Sequence, residues 1–347
     1  MTTSRLCDPT KKANFGHVRT KTSNRLVMIC RVALADELRA AVRAYLAGRP
    51  DASWQDFARD VGIAGLLVPE KHGGAGCGAA EMAAVAEELG RVLSPHPFLQ
   101  SAVMAASAAS ACGADELLEA LAGGTSAAVV LPGDGSLRLD GDVLTGVVPY
   151  AMDGELVLAY AGGALVEAVP TARTQYVTMD ESRPLQRLHF DHVPVRRLGD
   201  GAAWERVRDL GIAALAAEQV GGAQRCLDMA VSHAKSRHQF GRPIGSFQAI
   251  KHKLADLLLL VESARSAAGA AARDWVAAAV AGSYCTEAYL TVAGENIQVH
   301  GGIGITWEHP AHRYFKRATS DAQLFGPPHA HRARLAPYVL APAPHSG

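Results

Sequence analysis

The 347-residue sequence has few aromatic side chains, no excess of charge of either sign and no long apolar segment. Lysine and arginine number 34, as do aspartate and glutamate, so the formal net charge is zero. A dedicated nucleic-acid-binding protein would carry a broad basic excess, and this balance argues against that class. No apolar run approaches the roughly 20 residues that a transmembrane helix needs, and no secretory segment is visible. We therefore predict no membrane association and expect a cytoplasmic protein.

The six cysteines are too widely separated to form a recognisable metal or redox motif. No C-x-x-C pair occurs, which argues against a zinc ribbon or a thioredoxin-like centre, and we predict no metal site. Aromatic residues make up only 6% of the chain, whereas alanine is abundant. This composition favours helices that pack closely through small side chains.

Composition and periodicity divide the chain into four segments. Residues 1–31 hold seven Lys or Arg and one acid. This pattern is typical of a disordered leader, of translation assigned upstream of a true start near Met28, or of a basic arm for an anionic partner. Residues 32–124 have helical periodicity. Residues 125–200 contain short strand-like runs that predict a shortened β-barrel or sandwich. Residues 201–340 return to long helices and predict a helical bundle, so the fold class is mainly α with a small β domain.

The predicted elements of the last two segments have definite ranges. The strand-like runs are Ala127–Leu131, Val143–Val148, Leu156–Tyr160 and Ala164–Val169. The long helices are Trp204–Ser236, Ser246–Ala281 and Tyr284–Val299.

A basic turn between the first two of these helices is the first chemistry-bearing segment. Residues 225–253 hold six Lys or Arg against one acid, and a basic helix end beside a new helix N-terminus suits a phosphate. Arg237 could grip a pyrophosphate through its guanidinium fork, and Phe240 could lie flat on an adenine. The alternative is an ordinary helix–helix turn with a solvated basic face.

A glycine-rich turn after the third long helix is the second segment. Gly301 and Gly302 permit both a left-handed turn and the close approach of a ligand, and exposed amides there can cradle phosphate oxygens. The turn does not follow a β-strand, so it is not a Rossmann-type dinucleotide fingerprint.

Together the two segments resemble the acyl-CoA dehydrogenase family. The matching stretches are RHQFGRPIGSFQAIKHKLAD at 237–256 and QVHGGIGITWEHPAHRYFKRA at 298–318. The resemblance implies an N-terminal helical domain, a middle β domain and a C-terminal four-helix bundle. It implies FAD as cofactor, α,β-desaturation of an acyl-CoA thioester, and an electron acceptor such as electron-transfer flavoprotein.

The resemblance also implies which residues contact FAD. Arg237 and Phe240 correspond to the pair that contacts the pyrophosphate and adenine, with Phe247 and Gln248 beside them. Gln298, His300, Gly301 and Gly302 correspond to the loop that receives the ADP part of FAD. In the family these groups reach the FAD of a neighbouring subunit, so an oligomer is implied.

The chain departs from the family pattern at the catalytic base. The usual glutamate position holds Phe325, and the alternative position on the first bundle helix holds Gly211. The middle domain departs as well, because Val129–Asp134 replaces the family's Thr-Glu-Pro stretch, and Tyr150 and Met152 occupy the later flavin-binding strand.

Two other carboxylates are weak candidates for the base. Glu218 lies among alanines and is expected to pair with a neighbouring helix, while Asp321 lies one helical turn before Phe325. His309 and Glu308 are expected to cap the helix that begins near Pro310.

Loss of the base with retention of the FAD contacts resembles the shortened subunits of heteromeric actinobacterial acyl-CoA dehydrogenases. We therefore expect one subunit of a heteromeric tetramer whose unlike partner supplies the glutamate. The alternatives are a self-sufficient flavoenzyme with a displaced base or a different reaction, and a non-catalytic scaffold subunit.

Overall fold

The structure is a computed structural model that describes residues 22–340, with side chains from residue 34 onward. Helix α1 spans Thr22–Gly48, so residues 22–31 are helical and the predicted leader boundary at residue 31 falls inside this helix. No glycine or proline occurs between Thr22 and Ala47, so nothing in the local sequence stops the helix before Gly48. The remainder of the basic segment, residues 1–21, lies outside the described residues.

The N-terminal helical part continues through short helices that surround an apolar core. They are α2 (Trp54–Val61), α3 (Ala79–Arg91), a π-helix (Leu99–Ala105), α4 (Ala106–Cys112) and α5 (Asp115–Ala122). The π-helix is completely buried. Its Gln100 accepts a hydrogen bond from the amide of Val129 at 2.7 Å, and Ser101 accepts one from the amide of Ala127 at 2.9 Å. These bonds satisfy amides of strand β1, which would otherwise be unpaired at the end of its sheet.

The middle part is one seven-stranded sheet. Its strands are β1 (Ala127–Val130), β2 (Arg138–Asp140), β3 (Val143–Met152), β4 (Leu156–Ala161), β5 (Ala164–Ala168), β6 (Ala172–Gln175) and β7 (Leu185–Asp200). The order is β1-β4-β5-β7-β3-β2, with β6 also paired to β7. The β1–β4 pair is parallel and the other pairs are antiparallel. Strand β7 is long enough to pair with β5 through its last residues and with β3 and β6 through its first ones.

The C-terminal part is built on three long helices, with two shorter ones packed against α8. The ranges are α6 (Trp204–Ser236), α7 (Gln248–Ala270), α8 (Trp275–His300), α9 (Ala311–Asp321) and α10 (Pro328–Leu340). The predicted helix over Ser246–Ala281 is therefore wrong, because the chain turns after Ala270 and Asp274 caps α8 by accepting from the amide of Ala277. None of the helices within residues 22–340 combines the length and apolarity that crossing a lipid bilayer requires.

Helices α3 and α6 approach each other so closely that only glycine fits at two positions. A Cβ atom at Gly221 would lie 1.9 Å from the carbonyl oxygen of Glu87, and one at Gly90 would lie 1.9 Å from the carbonyl oxygen of Glu218. Both separations are far below van der Waals contact. The backbone contact fixes α6 against the N-terminal helices.

Candidate functional site

The basic turn after α6 is a small hairpin that projects an aromatic ring. Strands β8 (His238–Gln239) and β9 (Arg242–Pro243) pair, and the two residues between them have positive φ, 51° for Phe240 and 76° for Gly241. Such a two-residue turn favours glycine at its second position. The Phe240 ring is 91% exposed.

A second ring lies beside this hairpin, close to Arg242 of β9, and Arg237 directly precedes β8. Phe247 precedes α7, and its ring centroid lies 6.1 Å from that of Phe240 in an edge-to-face arrangement. The guanidinium carbon of Arg242 lies 4.2 Å from the Phe247 centroid. Arg237 and Gln248 are both exposed at the same turn. The predicted phosphate and adenine contacts therefore lie together and are open to solvent.

The glycine turn after α8 is open as well. Gly301 has φ 64° and ψ −146°, a conformation that disfavours any side chain, and a Cβ atom at Gly301 or Gly302 would meet nothing within 4 Å. Gln298 is exposed, whereas His300 is buried and bonds through Nδ1 to the carbonyl oxygen of Asn296 at 2.8 Å. The turn thus presents bare backbone to a ligand.

Both turns lie at one end of the bundle. Helices joined by short connections alternate in direction, which places the C-terminal ends of α6 and α8 beside the N-terminal end of α7. The imidazole rings of His233 on α6 and His300 on α8 are 4.3 Å apart. Farther along the same helices, Gln219 and Thr286 are joined by a 3.0 Å hydrogen bond. The fold therefore brings the predicted cofactor contacts to one surface.

A cavity of about 720 Å³ separates the sheet from the helices. The π-helix, strands β1 and β3 and the α9–α10 connection form its walls, and Gln100, Met104, Tyr150, Met152 and Phe325 are among the lining residues. This volume lies within the roughly 300–1,000 Å³ that is typical of small-molecule sites.

The cavity wall brings together the two positions at which the sequence resemblance puts a catalytic carboxylate. A Cβ atom at Gly211 would lie 2.9 Å from Cζ of Phe325 and 3.1 Å from Sδ of Met104. Phe325 has a φ of 57°, which is unusual for a bulky residue. A glutamate at Gly211 would collide with this ring. Apolar atoms therefore occupy both positions of the cavity wall at which the family places a catalytic carboxylate, Phe325 and Gly211.

Five charged side chains form a buried ion cluster next to this wall. They are Asp180, Arg183, Glu218, Arg317 and Asp321. Arg317 contacts Glu218 at 2.5 Å and Asp180 at 3.0 Å, and Arg183 pairs with Glu218 and lies 3.5 Å from Asp321. Neither Glu218 nor Asp321 lines the cavity that contains Phe325. Glu218 and Asp321 are therefore explained as ion-pair partners of buried arginines, and neither needs a role in proton abstraction.

Sequence reasoning named Glu218 and Asp321 but missed their arginine partners. Arg183 lies in the connection before β7 and Arg317 in α9, far from Glu218 along the chain. The single hint in the sequence is that Glu218 lies among alanines, because a buried carboxylate must be paired with a cation. Sequence reasoning also missed Gln100, whose buried side chain both lines the cavity and bonds to β1.

Asp321 is expected to make the stability of the fold depend on pH. Burial raises the pKa of Asp321 to about 7, above its value of about 3.9 in an unfolded chain. The folded state then binds more protons between these values, so the free energy of unfolding falls as pH rises from about 4 to about 7. Asp321→Asn should flatten this slope and raise stability at pH 8 by on the order of 1–3 kcal/mol. Urea unfolding at pH 5 and pH 8 measures the change, and an unaltered slope would contradict it.

Comparison with known proteins decides the family. Residues 21–124 match the acyl-CoA dehydrogenase N-terminal domain, and residues 209–340 match the acyl-CoA dehydrogenase C-terminal domain. The chain is 41% identical over 303 residues to the acyl-CoA dehydrogenase IpdE2 of Mycobacterium tuberculosis, covering 85% of this chain and 90% of the relative. The chain belongs to the acyl-CoA dehydrogenase family.

Solved members of the family include complexes of two unlike chains. A chain of the ChsE4–ChsE5 complex from Mycobacterium tuberculosis has a TM-score of 0.77 and 27% identity, covering 95% of this chain and 100% of that one. A chain of the Tcur3481–Tcur3483 steroid acyl-CoA dehydrogenase has a TM-score of 0.76 and 28% identity, covering 92% and 98%.

Family membership makes this protein an oxidoreductase that acts on CH–CH groups, in a family whose members bind FAD. One solved neighbour of the same fold, a glutaryl-CoA dehydrogenase from Mycobacterium smegmatis, is in complex with FADH2. The predicted family, fold class and cofactor are confirmed. The individual FAD contacts and the missing base stay predictions that the geometry above supports.

Proposed function

We propose that this acyl-CoA dehydrogenase works as the subunit without a base in a heteromeric enzyme, alongside an unlike subunit that supplies the catalytic glutamate. The observation that carries the proposal is the contact between Phe325 and Gly211. It fills both base positions with apolar atoms, while the exposed surface around Arg237 and the glycine turn remains open.

The exposed surface around Arg237 and the glycine turn fits the ADP part of FAD. The cavity, in contrast, does not offer the contacts that the family makes to the flavin ring. Arg237 would hold the pyrophosphate and Phe240 the adenine, because a guanidinium fork suits phosphate oxygens and an aromatic face suits a base. Bare amides at Gly301 and Gly302 would receive phosphate oxygens. In the cavity, Met152 has no hydroxyl to donate to a flavin. FAD, when bound, supplies the hydride acceptor for oxidation of the thioester.

The role of this chain then follows from its own residues. Arg237, Phe240 and the Gly301–Gly302 turn bind and orient a nucleotide whose reactive ring lies in the partner's site. Neither base position offers a group that could take the α-proton, and the two carboxylates that line the cavity are already engaged, Asp134 by the amide of Leu131 and Asp180 by Arg317. Turnover is then expected to depend on the partner's carboxylate. The ChsE4–ChsE5 relative, a complex of unlike chains, supports such an assembly, and the substrate is an acyl-CoA thioester.

Flavin content tests the proposal. We expect the chain expressed alone to be colourless, and the complex with an unlike acyl-CoA dehydrogenase chain to be yellow. Arg237→Ala in that complex should lower FAD affinity about 10- to 100-fold, because a charge-assisted hydrogen bond to phosphate contributes roughly 1.5–3 kcal/mol. Arg332→Ala, which removes an exposed arginine paired with Glu287 on another face, is the matched control.

Each contrary result identifies a different failure. A yellow chain that desaturates acyl-CoA without a partner would overturn the heteromer and favour a self-sufficient enzyme. A complex that stays colourless would favour a scaffold subunit. Equal flavin affinity in Arg237→Ala and Arg332→Ala would remove Arg237 from the pyrophosphate site while leaving the heteromer standing.

A further inference from the structure

A second cavity, of about 300 Å³, adjoins the one that contains Phe325. Gln100 of the π-helix and Met152 of β3 line both, so the two cavities meet at these side chains. We call the smaller one the arginine cavity, because Arg183 and Arg317 are in its wall. One water molecule takes up roughly 30 Å³ of liquid, so this space is far larger than a packing defect.

All three parts of the chain form the wall of the arginine cavity. Residues 94–99 come from the N-terminal part, residues 153–155 and 182–184 from the middle part, and Glu218 of α6 and Arg317 of α9 from the C-terminal part. Ligand sites lie preferentially where separate parts of a protein meet. The location of the arginine cavity is therefore that of a binding site.

Arg183 has a hydrogen-bonding group that the protein uses poorly. Its side chain is only 8% exposed, and its Nη2 is paired with Glu218. Its Nη1, in contrast, donates to the sulfur of Met152 at 3.9 Å, and a thioether is a weak acceptor. Within residues 34–340, its Nε has no hydrogen-bond partner. A ligand oxygen that took the place of the Met152 sulfur at Nη1 would therefore form a stronger, charge-assisted bond.

The charges in the wall favour an uncharged oxygen over a carboxylate. Asp153, Glu155 and Glu218 line the arginine cavity, against Arg183 and Arg317. A ligand carboxylate would add a further negative charge to a site that already has more acids than arginines, which is unfavourable. A ketone or hydroxyl oxygen accepts a hydrogen bond without that cost.

The imidazole of His96 extends this polar wall without adding charge. Burial lowers the pKa of His96, so the ring is uncharged at neutral pH and offers one donor and one acceptor. The ring lies against Phe57, with 5.1 Å between the centroids, so packing holds it in the wall. The arginine cavity thus suits the neutral polar end of a ligand.

The larger cavity suits the remainder of such a ligand. Met104, Leu131, Val148, Leu324 and Phe325 contribute apolar surface to its wall. A carbon skeleton is stabilised when it leaves water for a wall of this kind. A ligand with a carbon skeleton and one oxygen at its end therefore fits the two adjoining cavities together.

We propose that this chain binds an acyl-CoA thioester whose acyl group has a ketone or hydroxyl oxygen at the end remote from the sulfur. The carbon skeleton lies in the larger cavity, and the remote oxygen lies in the arginine cavity, where it accepts a hydrogen bond from Nη1 of Arg183. This inference goes beyond the proposed function, because binding of the acyl group requires neither a base nor FAD. In the heteromer, this chain then holds an acyl group that it does not itself oxidise.

Calorimetry on the full chain without added FAD tests the inference. The probes are saturated acyl-CoA thioesters of about eight to twelve carbons and their counterparts with a ketone on the penultimate carbon. We expect at least one length at which the ketone counterpart binds about tenfold more tightly, because a hydrogen bond to a charged donor contributes that much. Arg183→Met should reduce this preference to less than about twofold and leave the Kd of the saturated thioester nearly unchanged.

Two further variants separate binding from folding. Arg197→Met removes an exposed arginine that pairs with Asp142 at the other end of β7, and it should keep the tenfold preference. Because Arg183 belongs to the buried ion cluster, circular dichroism checks that Arg183→Met is folded. If it is not, the double variant Arg183→Met with Glu218→Gln removes a cation and its partner anion together, and it should lose the preference as well.

The outcomes separate this inference from the proposed function. Equal binding of ketone and saturated thioesters at every length, or a ketone preference that survives the loss of Arg183, would overturn the inference and leave the heteromer standing, since neither FAD nor the partner takes part. Tighter binding of thioesters that end in a carboxylate would overturn the assignment to an uncharged oxygen. A chain that is yellow and active alone would overturn the heteromer, whereas the ketone preference would still be decided by Arg183→Met.

Discussion

Replacing Arg317 by methionine is expected to destabilise the fold by about 3–5 kcal/mol, because it leaves the buried carboxylate of Asp180 without its cation and Glu218 with one arginine instead of two. The Arg317 side chain is 3% exposed and contacts Glu218 and Asp180 together. Its Nη2 also donates to the carbonyl oxygen of Ser182 at 2.9 Å. One side chain therefore holds α9, α6 and the connection between β6 and β7.

Guanidinium chloride unfolding measures the loss. Arg332→Met is the matched control, since Arg332 pairs with Glu287 where both side chains are 52% exposed, and its other contact is a 2.9 Å hydrogen bond to the hydroxyl of Ser283. Exposed pairs of this kind contribute about 0–1 kcal/mol. Similar midpoint shifts for the two variants would show that the buried ion cluster does not stabilise the fold as described. Asp180→Asn should recover part of the loss in Arg317→Met, because it removes the charge that has lost its cation.

Gly221→Ala is expected to cost about 2–4 kcal/mol, because the added methyl group has no space between α3 and α6. The new Cβ would lie 1.9 Å from the carbonyl oxygen of Glu87 and 3.1 Å from the amide nitrogen of Arg91. Both atoms belong to the α3 backbone, so no side-chain rotation can relieve the contact. The two helices would have to separate, which would loosen the apolar cluster that they share.

Gly269→Ala is the control for this substitution. Gly269 also lies within a long helix, α7, but a Cβ atom there would meet nothing within 4 Å. Alanine should instead stabilise that helix by about 0.5–1 kcal/mol through its higher helix propensity. Thermal unfolding should therefore move in opposite directions for the two variants. A Gly221→Ala variant as stable as the original chain would mean that α3 and α6 do not approach as closely as described.

Local signals explain what the sequence predicts well. Gly241 and Pro243 interrupt the helical pattern between α6 and α7, and Gly301 ends α8, so both turns are visible without tertiary information. The short apolar runs also predict four strands close to where β1, β3, β4 and β5 occur. These elements depend mainly on residues within a few positions of one another.

Other elements are decided by partners elsewhere in the chain. The turn inside Ser246–Ala281 was missed because alanine favours helix on both sides, although Asp274 is a usable N-cap signal. Strand β7 was not predicted, since its many charged residues mask an alternation in which Gln186, Leu188 and Phe190 are buried. The parallel β1–β4 pairing has no local signal at all.

The candidate site also contains both kinds of feature, those that local sequence predicts and those that depend on distant partners. The residues around the nucleotide turns lie in two continuous motifs, so a resemblance can locate them. The contact between Phe325 and Gly211, and the adjacent rings of His233 and His300, depend on how separate helices pack. Sequence spacing cannot give such distances, because they follow from the crossing of α6 with α8 and with the α9–α10 connection.

Strand β7 also sets an order of events during synthesis on the ribosome. It is the last strand of the sheet, and β3, β5 and β6 all pair with it. Until residue 200 has left the exit tunnel, the nascent chain holds unpaired strand edges that are open to wrong association. Helix α6 follows only a few residues later. The sheet and the first bundle helix are therefore expected to form almost together during translation. Rare codons placed just before β7 should lower the yield of soluble protein more than the same codons placed after α8.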